Sequence, residues 1–163
     1  MKAMPILWKR LVMGGETCTR CEDTGRQLEA AVAKLAAALQ PLGIEPVLET
    51  QEIDEPAFKA NTPESNRVWI AGKPLEEWLG AAVGMSRCCS VCGTSDCRTL
   101  EVDGRTYETI PEEQFIRAGL IAASQMIASP SSSNWGSTSC GSSNAGTDQC
   151  SPEPDRPEGG CCD

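Results

Sequence analysis

The sequence contains no histidine, and that absence excludes more than any single motif establishes. Without an imidazole there is no Ser-His-Asp or Cys-His pair, and both the commonest general base and the commonest metal ligand are missing. Basic clusters are lacking too: 14 lysines and arginines stand against 23 acidic residues, for a net charge of -9. Neutralising phosphates takes clustered positive charge, so nucleic acid is not an expected partner. Nor is there a long apolar run. The stretch from Met4 to Trp8 is interrupted by Pro5 and ends at Lys9 and Arg10. That is too short for a signal-peptide core or a membrane span, so the default expectation is a cytoplasmic protein without a membrane partner. The glycines of "MGGET" lead to cysteines, not to the Lys-Ser/Thr of a phosphate-binding loop, and no nucleotide cofactor is expected.

What the chain has in quantity is cysteine, ten in 163 residues. One domain of this length buries an adequate core without staples, and in a reducing compartment structural disulfides are rare. Thiolates must then carry most of any coordination. Such a donor set selects zinc, copper(I), iron-sulfur clusters, or thiophilic ions such as mercury and trivalent arsenic, with zinc the default cofactor.

The cysteines fall into three groups. Cys18 and Cys21 stand between a predicted strand and a predicted helix, where unpaired N–H groups and the helix dipole favour a thiolate. Arg20 pulls the same way; Glu16, Glu22 and Asp23 oppose it. The pair is a candidate for metal binding or, as catalytic residues, for disulfide exchange; the plain alternative is two buried, inert thiols. The second group is Cys88, Cys89, Cys92 and Cys97, in which Cys89-x-x-Cys92 repeats the two-residue spacing of a zinc knuckle. These sulfurs form a second site, join Cys18 and Cys21 across a cleft, or hold a zinc that only pins the loop. The third group, Cys140, Cys150 and the adjacent Cys161 and Cys162, lies in a Ser-, Gly- and Pro-rich acidic segment. That segment cannot repay its ordering entropy. It reads as a flexible tail over 129–163, with Cys161 and Cys162 as an accessory metal-capturing pair or as part of an incidental extension.

Residues 1–128 read as one α/β domain, a central mixed sheet flanked by helices with a cysteine-rich insert. "MPILWKRLVM" is predicted as a strand. From Thr24, the apolar positions Leu28, Val32, Leu35 and Leu39 mark a core-facing helix stopped by Pro41 and Gly43. "IEPVLET" is a second strand, kept from a central place by Pro46, and Asp54 caps a short helix through Phe58. "RVWIAG" is a third strand, "PLEEWLG" a short helix, and 84–97 a cysteine-rich loop. Two short strands meet at Asp103-Gly104, a hairpin signal. The last helix is expected to bury Phe115, Ile116, Leu120, Ala123 and Ile127. Glu76, Glu77, Glu112 and Glu113 read as solvated or dipole-compensating carboxylates.

Through "WKRLVMGGETCTRCEDTG", "SNRVWIAGKPLEEWLG" and "CRTLEVDGRTYETIPEE", the chain resembles the thioredoxin-like superfamily over roughly residues 5 to 125. It resembles more closely a prokaryotic family of small CxxC proteins with no assigned function. The resemblance implies a thioredoxin-like fold with Cys18 and Cys21 in the position of the redox pair. Two features differ: Ser65-Asn66-Arg67 stands before the third strand, where thioredoxins carry a cis-proline, and Thr17 replaces the aromatic before the first cysteine. The leading expectation is thiolate-based handling of a soft metal or metalloid, with Cys18, Cys21, Cys88, Cys89, Cys92 and Cys97 as ligands and a metal transporter or thiol reductase as partner. The alternatives are a thiol-disulfide oxidoreductase, in which Cys18 attacks and Cys21 resolves, and a zinc-stabilised adaptor.

Overall fold

The computed structural model describes residues 1–88 and 95–128. The expected tail, with Cys140, Cys150, Cys161 and Cys162, and the spacing Cys89-x-x-Cys92 lie outside the described residues. The element order is β1 (Lys2–Leu11), α1 (Thr19–Leu39), β2 (Ile44–Ile53), α2 (Glu55–Ala60), β3 (Arg67–Ile70), β4 (Lys73–Pro74), α3 (Leu75–Leu79), β5 (Ala82–Arg87), β6 (Asp96–Val102), β7 (Arg105–Tyr107) and α4 (Glu112–Ala128). Short 3-10 turns at Gln40–Leu42 and Thr62–Glu64 precede β2 and β3.

A mixed four-stranded sheet in the order β2-β1-β3-β4 forms the body. β1 pairs with β2 in parallel, Lys2 opposite Ile44 through Leu11 opposite Ile53, and antiparallel with β3, Ile6 opposite Ile70. A parallel pair needs a crossover, which α1 supplies. β2 is the outermost strand, where Pro46 withholds no needed ladder donor.

Period-two alternation puts Met4, Ile6 and Trp8 on the covered face of β1, all nearly inaccessible. Thr24, Gly25, Leu28, Ala31, Leu35 and Leu39 are the buried stripe of α1. Trp8 explains Gly25: a Cβ there would lie 2.5 Å from the Trp8 ring, so only glycine lets the helix sit on the indole. The Trp8 Nε1–H donates to Asn66 Oδ1 at 3.2 Å, and Asn66 Nδ2 donates to Thr24 Oγ1 at 3.2 Å. Trp8, Asn66 and Thr24 thus satisfy one another across the body.

The insert builds its own antiparallel sheet, β5-β6-β7. Three sequence expectations change here. The supposed loop over 84–97 is partly strand: Gly84 pairs with Thr99 and Ser86 with Cys97. β5 was hard to see because it is a largely exposed edge with no apolar alternation. The first helix begins at Thr19, one turn earlier than its apolar stripe, with Cys18 as its N-cap. The last helix buries Gln114, Phe115, Ala118, Gly119, Ala122 and Ala123, whereas Leu120 and Ile127 are 45% and 55% exposed. α1 and α4 pack closely: a Cβ on Gly119 would come within 2.5 Å of Leu35. The small-residue stripe therefore outranks the larger apolar side chains. The Asp54 cap is as expected, its Oδ1 accepting from the Ala57 N–H at 2.9 Å. So is the turn at Asp103 and Gly104, both in the left-handed region. No helix among the described residues is long and apolar enough to cross a membrane.

Candidate metal centre

Cys18 is delivered by a tight loop between β1 and α1. Gly14 and Gly15 have φ of 62° and 86°, a sequence of left-handed residues that glycine adopts without strain. The turn lets Met13 and Glu16 bridge through two backbone hydrogen bonds of 2.8 and 3.0 Å. Thr17 Oγ1 then donates to the Leu11 carbonyl at 2.8 Å. Cys18 takes an extended conformation at the helix entrance, and its carbonyl accepts the first helical bond, from Glu22 N–H at 2.9 Å. Its sulfur sits where a helix N-terminus presents positive potential.

Three sulfurs meet at that point. The Sγ atoms of Cys18, Cys88 and Cys97 all lie within 4.8 Å of one another, and their residues are 1%, 7% and 4% exposed. Cys21, one turn along α1, is also buried but outside this group; its Sγ lies 3.8 Å from Ser65 Oγ. All four described cysteines, Cys18, Cys21, Cys88 and Cys97, are buried. The Cys18 thiol is held well below the usual thiol range. Hydrogen bonds from the Cys21 and Cys97 thiols lower it, burial opposes them, and the Cys21 N–H and Cys88 thiol lower it further. The thiolate is the form that binds soft ions and attacks disulfides.

Two arginines tie the insert to the body around these sulfurs. Arg20, between Cys18 and Cys21 in sequence, does not spend its charge on them. Its Nη1 donates to Ser86 Oγ at 2.9 Å, its Nη2 donates to the Arg87 carbonyl at 2.7 Å and pairs with Glu108 at 2.8 Å. The turn carrying Cys18 thereby grips the end of β5, the residues just before Cys88. Next to Cys97, the buried Arg98 donates to the Pro63 carbonyl at 3.0 Å and pairs with Glu76 at 2.6 Å. Glu76 also meets Arg67 at 3.2 Å and is only 14% exposed, which corrects its reading as a solvated carboxylate.

Of the residues singled out from sequence, the fold brings Cys18, Cys88 and Cys97 together and leaves Cys21 beside them. The spacing Cys89-x-x-Cys92 lies outside the described residues. Among those described, the cluster joins Cys18 to Cys88 and Cys97, 70 and 79 positions along the chain, which is the cross-cleft alternative for this group, although no local spacing signals that contact. Ser65, Arg20 and Arg98 were missed in these roles. Only the position of Ser65, before the third strand, hinted at one.

The domain of unknown function DUF2703 matches residues 4–119. An uncharacterized protein of the archaeon Archaeoglobus fulgidus is 45% identical over 107 residues, covering 66% of this chain and 78% of its own. No solved structure matches the chain. The match extends from the first strand to the middle of the last helix and takes in all four buried cysteines; the chain belongs to the DUF2703 family.

Proposed function

We propose that this protein captures and handles a soft metal or metalloid ion through thiolates, with Cys18, Cys88 and Cys97 as its central ligands. The observation that carries the reading is the convergence of three buried sulfurs from three separate segments on one point. Buried thiols that only fill space need not converge, and sulfur-only donor sets select soft ions. Zinc is the default occupant, with mercury and arsenic in the same class. Cys89, Cys92, Cys161 and Cys162 are proposed as accessory ligands, and a metal transporter or thiol reductase as the partner in transfer. The fold is proposed to be thioredoxin-like. Supporting that are the β-α-β unit with its CxxC at the strand-to-helix junction and the loop before β3, which faces Cys21 with Ser65.

The test is elemental analysis of protein purified reduced and anaerobically, before and after titration with zinc, arsenite and mercury. The expected result is a stoichiometric soft ion that is lost in both Cys18→Ser and Cys97→Ser. Unchanged stoichiometry and affinity in these variants would refute the central role of the three sulfurs.

A second reading, a cytoplasmic thiol-disulfide oxidoreductase, is favoured by the hydrogen bond from the Cys21 thiol to Cys18. Cys18 would attack a disulfide and Cys21 would resolve the mixed disulfide. It requires insulin reduction with dithiothreitol or a thioredoxin reductase that disappears in Cys18→Ser, whereas the ion-capture reading requires no such activity.

A further inference from the structure

Resting on the ion-capture reading, we infer that the three-sulfur site is matched to a trivalent metalloid, arsenic(III) or antimony(III), presented as its neutral hydroxide. The inference starts from the charges around the sulfurs. Each of the three cysteines has an arginine within two residues, and each arginine is already paired with a carboxylate, Glu76 being shared by Arg98 and Arg67. Arg20 pairs with Glu108 at 2.8 Å, Arg98 with Glu76 at 2.6 Å, and Arg87 with Asp96 at 3.9 Å. Arg20 and Arg98 are further committed to Ser86 and to the Arg87 and Pro63 carbonyls. The positive charge near the sulfurs is thus spent within the protein.

That leaves the ion itself to neutralise the site. Three buried thiolates around a divalent ion carry one net negative charge, and a fourth thiolate from Cys21 makes it two. Leaving charge uncompensated in the interior carries a heavy desolvation penalty. A trivalent centre with three thiolates is neutral. The chemistry of entry points the same way. Arsenous acid is uncharged at neutral pH and crosses a buried boundary without the desolvation cost of a cation. Each hydroxide leaves as water, taking its proton from the incoming thiol or, where the sulfur already stands as the thiolate, as at Cys18, from solvent. Three As–S bonds replace three As–O bonds, and no electron is transferred. The donor number also fits: arsenic(III) takes three sulfurs in a pyramid, whereas structural zinc takes four ligands in a tetrahedron. Cys21, whose thiol reaches both Ser65 Oγ and Cys18, lies outside the three-sulfur group and is not needed for the pyramid.

The experiment uses the full chain with Cys89, Cys92, Cys140, Cys150, Cys161 and Cys162 replaced by serine, so that only the four buried thiols remain. Reduced protein is titrated with sodium arsenite and, separately, with zinc and with mercury(II), counting bound ion and remaining reactive thiols. The expected result is one arsenic per chain with three of the four thiols consumed. Cys21→Ser in this background still takes one arsenic with an affinity within about twofold, while its zinc affinity falls. Removing outer-shell partners of a metal already costs about 10–100-fold, so Cys18→Ser, Cys88→Ser and Cys97→Ser should each weaken arsenite by about 100-fold or more. Circular dichroism melting checks that each variant folds; if one does not, the thiol count in the four-cysteine chain still decides. Arsenite that consumes two thiols or fewer, or that depends on Cys21 as strongly as on Cys18, overturns the inference. If zinc or mercury binds at Cys18, Cys88 and Cys97 and arsenite does not, the metalloid assignment falls and the ion-capture reading stands. If none of the three ions binds there, both fall.

Discussion

The four-stranded body and the three-stranded insert are held together by different physics. In the body, β1 and α1 bury a continuous apolar face on Trp8 and Leu28, and the buried Asn66 links the Trp8 ring to Thr24. In the insert, β5 is largely exposed and β6 adds Leu100 and Val102 to the core, while Arg20, Arg98, Glu76 and Glu108 join the segments that carry Cys88 and Cys97 to the body. Apolar burial is strong but non-directional. Forked guanidinium contacts are weaker but fix geometry. A site assembled across the two regions therefore takes its stability from one and its precision from the other.

That division can be broken from either side. The largest effect should come from Trp8→Ala, which empties the centre of the body and leaves Asn66 Oδ1 without its donor; a loss of about 3–5 kcal/mol is expected in urea unfolding. Arg98→Met removes a buried cation from Glu76 and Pro63, and calorimetry should register about 2–3 kcal/mol, eased because Glu76 keeps Arg67. Gly25→Ala pushes a methyl into the Trp8 ring, and the cost of overpacking, about 1–3 kcal/mol, should appear as a lower Tm. Arg20→Gln should have the smallest effect on stability, about 1 kcal/mol or less, because its partner Glu108 is 56% exposed. Its effect on ion affinity should be about tenfold or more, since it holds the approach to Cys88. If Arg20→Gln instead lowers Tm as much as Trp8→Ala and leaves affinity intact, the division of labour is wrong.

Much of the body was legible because its signals are local. β1 is short and apolar, the Leu28-Leu35-Leu39 stripe has helical period, Asp54 stands at a cap, and Asp103-Gly104 is a turn pair. The burial of α4 was only partly legible: Phe115 and Ala123 are buried as expected, but hydrophobicity favours Leu120 while the close approach of α1 favours Ala118, Gly119 and Ala122. The candidate site was half legible. Cys18 stands out at its strand-to-helix junction. Its meeting with Cys88 and Cys97 depends on the pairing of Ser86 with Cys97 in a strand that shows no alternation. Glu76 looked solvated because its partners Arg67 and Arg98 come from two other segments.

Anomalous diffraction from a crystal of the reduced protein soaked with arsenite would test the three-sulfur site most directly. One peak within bonding distance of the Cys18, Cys88 and Cys97 sulfurs is expected. A peak at Cys161 and Cys162, or at Cys89 and Cys92, with those three sulfurs unliganded would contradict it.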